Sequence, residues 1–307
     1  MRPRTLVMLF VASSIVTIGL NAAGAFDRTP HDGAHRMLEK LEKSNHRSVT
    51  VVRSGSSQDL PMVLLRTTAE GDEFAWTGRP AAAREIEIRS LLGSITAQPA
   101  SDDSIRVTAL RYGDGKDNVM VKVLDRGERL TICAAHPKSR SSDGTVGCGT
   151  AVPSANGRKE IHGDARVNFV VQVPAGYRLV ARAVDGRVEA RGLRDDVEVS
   201  TVNGDVSIET AGAAEAKTMN GNIEARIGRL ASHDNRFETL HGNVTLALPR
   251  GTAAALRAES ITGSIHSDLA IQPKEMRRSK LIGTLGGGGP ELLVKTVAGN
   301  VSLTSAP

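Results

Sequence analysis

A seven-residue pattern of apolar, any, Gly, polar, Val/Ile, polar, apolar returns along this chain at near-regular intervals. Clear copies are Val184-Asp185-Gly186-Arg187-Val188, Val202-Asn203-Gly204-Asp205-Val206 and Met219-Asn220-Gly221-Asn222-Ile223. Further ones are Leu240-His241-Gly242-Asn243-Val244, Ile261-Thr262-Gly263-Ser264-Ile265 and Val297-Ala298-Gly299-Asn300-Val301. Weaker copies sit at Leu91-Leu92-Gly93-Ser94-Ile95, Ile161-His162-Gly163-Asp164-Ala165 and Leu281-Ile282-Gly283-Thr284-Leu285. From Gly186 to Gly299 the glycines step by 18, 17, 21, 21, 20 and 16 residues. A period of this size marks a stack of like units rather than one globular core.

Within each unit there is a second corner about nine residues on, as at Leu193-Arg194-Asp195-Asp196-Val197 and Ala211-Gly212-Ala213. Each unit therefore offers two short strands and two corners. Asn-Gly is also the strongest hairpin signal, so an antiparallel β-meander of Asn-Gly hairpins is the alternative. A flat ribbon of that kind has no second layer to bury its Val/Ile face. The expected fold is all-β: a right-handed parallel β-solenoid, or β-helix-like stack, of ~16–21-residue coils. Gly93, Gly186, Gly204, Gly221, Gly242, Gly263 and Gly299 are then structural turn glycines. Asn203, Asn220, Asn222, Asn243 and Asn300 suit the same corners and can bond their neighbours' amides up the stack.

Upstream the period is two. Ile86, Ile88, Ile105, Val107, Val119, Val121, Val123, Leu130 and Ile132 alternate with polar neighbours, as do Val167, Phe169, Val171 and Val173. These are half-buried strands. The strand-repeat domain is expected over 62–307, with its clearest repeats at 177–305. Residues 26–61 differ. Asp32 is placed to cap a short helix through Met37, Leu38 and Leu41, and Ser54-Gly55-Ser56-Ser57 reads as a linker. This makes a helical or disordered arm. His31 and His35 stand four apart there without a third ligand.

Residues 1–25 read as a secretory signal peptide. Arg2 and Arg4 precede an apolar run from Leu6 to Leu20, and Ala23-Gly24-Ala25 is a small-x-small cleavage site. Fifteen helical residues span roughly 22 Å, short of a ~30 Å hydrocarbon core. No transmembrane helix is expected in the mature chain, and losing Arg2 and Arg4 lowers its formal charge from +5 to +3. Export also favours a disulfide between the only two cysteines, Cys133 and Cys148. Closing a loop of about 15 residues contributes roughly 3 kcal/mol in the loop-entropy picture.

Several segments resemble a bacterial family of β-strand-repeat-containing domains of unknown function, often labelled adhesins. They are Phe74-Ala75-Trp76-Thr77-Gly78, Leu92-Gly93-Ser94-Ile95-Thr96-Ala97, Thr131-Ile132-Cys133-Ala134-Ala135-His136-Pro137 and Val173-Pro174-Ala175-Gly176-Tyr177. The repeated Thr201-Val202-Asn203-Gly204-Asp205-Val206 and Thr218-Met219-Asn220-Gly221-Asn222-Ile223 are the most characteristic. The resemblance runs over about 74–304. It implies a solenoid-like fold and no established catalysis. His241, Thr262 and Ala298 stand where the family usually has Asn, which interrupts an Asn ladder at that position.

Function follows less directly. Only 3% of residues are aromatic, fewer than a deep-cored enzyme of this length normally carries. Scattered acids such as Asp195, Asp196, Glu198 and Glu209 form no carboxylate pair, and Ser264, His266 and Asp268 on one strand do not meet as a triad. A polysaccharide-acting β-helix enzyme is the alternative to a non-catalytic role. The expectation is an exported, non-enzymatic envelope protein that is periplasmic, cell-surface or secreted. It has a structural, scaffolding or adhesin-like role and needs no cofactor or metal. Its partner is an envelope protein or an anionic envelope polymer, and not nucleic acid. Lys274, Arg277, Arg278 and Lys280 are the candidate contact with anionic polymer. The coil near Val301-Ser302-Leu303 is the expected open end, able to accept a partner strand.

Overall fold

Strand-period alternation produces strands wherever it was read. The computed structural model describes residues 8–12, 15–19, 50–52, 59–60, 62–67, 70–80, 82–136, 148, 164–233 and 235–306. Among these residues the chain is all-β apart from one 3-10 turn, Lys116–Asn118.

The regular part alternates between two sheets. Strands β13 (Arg178–Asp185), β15 (Val197–Ser200), β17 (Ala214–Asn220), β19 (Asn235–His241) and β21 (Ala254–Ser260) lie in one sheet. Strands β14 (Val188–Leu193), β16 (Val206–Thr210), β18 (Ile223–Ile227), β20 (Val244–Leu248) and β22 (Ile265–Ser267) lie in the other. Each coil gives one strand to each sheet, and successive coils pair in parallel, as in Val197↔Ala214 and Val206↔Ile223. The Asn-Gly corners thus join strands of different sheets. The antiparallel meander does not occur in the repeats.

Branched aliphatics pile upon themselves between the sheets. Ile95, Val188, Val206, Ile223, Val244 and Val301 form one buried row, each paired with the next. In the facing sheet Phe237, fully buried, pairs with Ala216 and Val294. This is thin, repetitive packing of the kind a chain poor in aromatics can fill.

Stack order departs from chain order at the far end. The C-terminal strands β25 (Glu291–Ala298) and β26 (Val301–Ser305) insert between the β19/β20 coil and the β21/β22 coil. The hairpin β23 (Ile271–Arg277) and β24 (Lys280–Leu285) adds antiparallel to β21 and ends that sheet. Gly283, read as a weak corner copy, lies inside β24. Its Leu281 and Leu285 neighbours are buried, so alternation about a mid-strand glycine mimics the motif.

The N-terminal part extends both sheets. The coil of β7 (Glu85–Leu92) and β8 (Ile95–Pro99) pairs in parallel with β13 and β14, skipping the residues between. Beyond it lie β9 (Ile105–Tyr112), β10 (Met120–Asp125), β11 (Arg129–Ala135) and β12 (Arg166–Val173), with both parallel and antiparallel pairing. Antiparallel strands β5 (Met62–Thr67) and β6 (Asp72–Gly78) continue one sheet. The short β3 (Thr50–Val52) and β4 (Asp59–Leu60) form the outer edges. These two strands fall before residue 62, where the repeat domain was expected to begin. The helix read around Met37 to Leu41, with His31, His35 and the Ser54 to Ser57 linker, lies outside the described residues. Within the expected signal peptide, β1 (Met8–Ala12) and β2 (Ile15–Gly19) form an antiparallel ribbon that pairs with no other strand among the described residues.

Candidate functional site

The repeated corner explains the motif residue by residue. A Cβ placed on Gly186, Gly204, Gly221, Gly242, Gly299 or Gly263 would fall between 1.8 and 2.2 Å from the carbonyl oxygen of the glycine below. Gly93 meets Val167 O in the same way, at 2.2 Å. No side chain fits that gap. Three residues before each of these glycines except Gly186 a hydroxyl points inward and donates to the lower corner's carbonyl. Thr201 donates to Gly186 O at 3.2 Å, Thr218 to Gly204 O at 3.1 Å and Thr239 to Gly221 O at 2.9 Å. Thr296 donates to Gly242 O and Ser260 to Gly299 O, both at 2.8 Å.

One residue after Gly204, Gly221, Gly242 and Gly299, a side-chain oxygen accepts the backbone N–H of the coil above. Asp205 accepts from Asn222, Asn222 from Asn243, and Asn243 from Asn300, each at 2.8 Å, then Asn300 from Ser264 at 3.0 Å. This ladder is continuous. The position before the glycine, where His241, Thr262 and Ala298 break the Asn pattern, carries Asn220 donating to Asn203 at 2.8 Å and Thr262 donating to Val297 O at 3.2 Å. The sequence pattern placed Asn222, Asn243 and Asn300 in such bonds but did not show the hydroxyl row, although Thr or Ser recurs three residues before six of the seven glycines. It also missed that the apolar residue two before each glycine faces outward. Strand alternation requires this once the hydroxyl faces in. Met219, Leu240 and Ile261 are accordingly exposed.

The far end of the stack holds the predicted basic residues. Lys274, Arg277, Arg278 and Lys280 all lie on the β23–β24 hairpin or its turn. Glu275 takes up part of their charge, meeting Arg277 at 3.1 Å and Lys280 at 2.9 Å; the Lys280 hydrogen bond, against an opposing desolvation and with the charges of Lys280 and Arg277 adding, holds its carboxyl below the usual range. The hairpin turn is fixed to the last corner. Ser260 N–H donates to Ser279 O at 2.9 Å and Ile265 N–H to Arg278 O at 2.8 Å.

That geometry overturns the expected open end at Val301-Ser302-Leu303. Strand β26 is interior, hydrogen-bonded to β20 and β22. The edges of the two large sheets are β22, β23, β3 and β4. Three of them have two or three residues. The fourth, β23, carries Pro273 and a bulge before Glu275. Short, kinked and proline-bearing edges resist strand addition.

In the N-terminal part the chain uses single pins instead of ladders. Cys133 and Cys148 form the expected disulfide, closing a separation of 15 residues. Both are buried with Leu124 and Ala135 in a small second core on the outer face of the sheet. Beside it the buried Glu87 carboxylate receives Arg89 through Nε at 2.8 Å and Nη2 at 2.9 Å, with Arg182 at 3.3 Å and Arg129 at 3.6 Å. Arg89 also donates to Cys148 O at 3.4 Å. A second pin is Asp72, which burial pushes up. Hydrogen bonds from Arg111, Lys116 and Thr67 outweigh this and leave it below the ordinary carboxylate value. Arg111 lies 5.1 Å from the Phe74 ring centre.

A cleft of about 130 Å³ lies where these two parts meet, lined among others by Asp102, Asp103, Tyr177, Arg194 and Asp195. Its acids are already engaged. The Arg106 guanidinium and Ser104 N–H hold Asp102 down to about 2, Asp103 faces Arg79 at 3.4 Å, and Asp195 accepts Gly176 N–H at 2.6 Å. The Ser264, His266 and Asp268 trio is likewise divided, since Ser264 donates to Asn300 and Asp268 accepts from Ser305 N–H.

Residues 195–304 match the family model described as Toastrack DUF4097. The motif resemblance is thereby borne out over this stretch, which begins at the second corner of the first strict repeat. No curated protein matches the chain. Among solved structures it is similar to a candidate cell adhesion protein from Clostridium sporogenes ATCC 15579, at 10% identity and a TM-score of 0.43, covering 76% of this chain and 99% of that one. A candidate adhesin from Bacteroides fragilis NCTC 9343 aligns at 10% identity and a TM-score of 0.36, over 77% and 98% of the two chains. A third, from Parabacteroides distasonis ATCC 8503, gives 11% identity and 0.23 over 77% and 98%.

Proposed function

We propose that this Toastrack-bearing chain is an exported, non-catalytic envelope protein that binds or scaffolds through its surface. One observation carries the reading. The polar residues that recur in the motif are consumed in holding coil to coil, through the hydroxyl row and the Asp205 to Ser264 ladder. Cleft acids that would serve hydrolysis are tied to arginines or backbone N–H groups. What remains for partners is a rigid, two-faced stack whose side chains are repeated in register, a form suited to extended contact.

Within this reading, residues 1–25 are a leader removed on export, 26–61 an arm, and 62–307 the binding domain with coils of right-handed sense. The right-handed rule for parallel crossovers supports that sense. The end cap bearing Lys274, Arg277, Arg278 and Lys280 is the contact with anionic envelope material. Crosslinking intact cells and purifying the chain tests the role by recovering a defined envelope component. Turnover of envelope glycans by the purified protein would replace this reading with the enzymatic one.

A further inference from the structure

The basic end cap also carries the largest exposed apolar side chains. Met276 is 76% and Ile261 66% exposed, the highest values for large hydrophobic residues among the described ones. Their positions follow from the topology. Strands β24 and β23 extend their sheet two strands past β21, whereas the facing sheet stops at β22. Met276 pairs with the buried Leu281 and so points to the core side, but there it overhangs the short facing edge. Ile261 ends the outward apolar row, just before the Gly263 corner to which the hairpin turn is bonded. By register they lie on opposite faces of this last part of the sheet, Met276 two strands beyond β21 on the core side and Ile261 just past β21 on the outward side, with the hairpin turn between them. Around this tip stand Arg277, with 77% of its side chain exposed, the exposed Arg278 and Lys274, and Lys280. Glu275 and Glu259 are the acids beside them: Glu275 bonds two of the bases, and Glu259 lies opposite Lys280 in register and bonds Arg257.

We infer that this tip docks on an anionic lipid bilayer. Apolar side chains standing clear of a surface are costly in water and stable beneath headgroups, while surrounding Lys and Arg remain at headgroup level. A soluble polyanion would use the bases and leave Met276 and Ile261 wet. The two apolar residues favour the bilayer over the polymer. The inference rests on the proposed envelope-binding role and names its partner surface.

The test uses the chain from Phe26, since the ribbon removed pairs with no other strand among the described residues. Its sedimentation is measured with vesicles of phosphatidylcholine alone and of phosphatidylcholine with phosphatidylglycerol. Binding is expected only to the phosphatidylglycerol vesicles, weakening as salt rises. Replacing Arg277→Ser with Arg278→Ser should weaken it about 25-fold, roughly fivefold for each base. The pair Ile261→Ser and Met276→Ser should weaken it about tenfold or more with the salt dependence kept. Exposed Arg191→Ser and Arg226→Ser on the other sheet should leave it unchanged, and thermal unfolding checks that all variants fold. Vesicle binding indifferent to Ile261 and Met276 overturns the inference. So does self-association that these two substitutions abolish, which would make the tip a contact between copies. Retention on dextran sulfate without vesicle binding removes the lipid assignment and keeps the envelope-binding reading, whereas failure on both removes the two together.

Discussion

The coils from Arg178 onward and the part before them solve the same problem by different means. Both must hold strands in register across two sheets. In the coils the rungs repeat one set of contacts: a glycine against a carbonyl, a hydroxyl to that carbonyl, and an amide or carboxylate oxygen to the next N–H. In the earlier part the register is interrupted by antiparallel strands, and one disulfide and two buried ion clusters do the fixing. Repetition distributes the load over many small, nearly equal terms. Singular pins concentrate it, and make that part answer to redox state as the coils do not.

The largest expected effect tests whether the ladder tolerates one missing rung. Gly221→Ala would set a Cβ 2.1 Å from Gly204 O at a φ of +158°, against backbone on a neighbouring coil that cannot swing aside. A loss on the order of 3 kcal/mol or more is expected. At Gly251 the φ is +77° but nothing lies within 4 Å, so Gly251→Ala should cost only about 1 kcal/mol of backbone strain. Equal losses in denaturant unfolding would show that close approach is not what the corner demands.

Next in size is the disulfide. Replacing Cys133 and Cys148 by Ser should remove roughly 3 kcal/mol by the loop-entropy estimate. Reductant should lower the melting temperature of the parent protein and leave the double variant unmoved. A reductant effect of the same size in both would place the redox response elsewhere.

A smaller effect tests the earlier part by pH. The Asp72 carboxyl lies below its ordinary value of 3.8 in the folded chain. Its stabilisation is therefore present above the unfolded-state pKa and is lost as pH falls through the lower folded one. Trp76, the sole tryptophan, lies four residues further along β6 and reports loss of this strand's packing by fluorescence. Asp72→Asn should flatten the acid limb of the Trp76 signal below pH 3.8 while lowering stability at neutral pH. An unchanged acid limb would assign it to other carboxylates.

How much of this could be read beforehand divides along the same line. The corner glycines, the inward Val/Ile row and the second corners at 193–197 and 211–213 were legible because each depends on residues a few positions apart. The order of the last coils was not. Gly263 and Gly299 sit in near-identical motifs, and either could stack on Gly242. The choice falls to distant contacts, such as Thr296 reaching Gly242 O and the β23–β24 hairpin closing over β21. Gly283 shows the converse, a local pattern with no corner beneath it. The ion pins were illegible for a related reason. Glu87, Arg89 and Arg182 read as outward charges by alternation, and only the fold brings Arg182 beside Glu87 and Cys148 over Arg89.

The smallest effect concerns the one rung where the two parts join. Every strict corner has Thr or Ser three residues before its glycine except the first, where Ala183 precedes Gly186. Ala183 is 5% exposed and pairs with Ser90, on the inward row that Thr201 and Thr218 continue. By the register of that row, a hydroxyl at 183 would face Gly93 O, the carbonyl on which Gly186 closes. Ala183→Thr should then stabilise by about 1 kcal/mol, the usual net worth of one such bond. Its mirror, Thr239→Ala, should cost about 1–2 kcal/mol, because it strips a buried carbonyl of its partner. The pair of measurements asks whether the ladder's terms are interchangeable from coil to coil. If Thr at 183 destabilises while Ala at 239 costs as expected, the junction coil has its own geometry and the regular part begins one rung later, at Gly204.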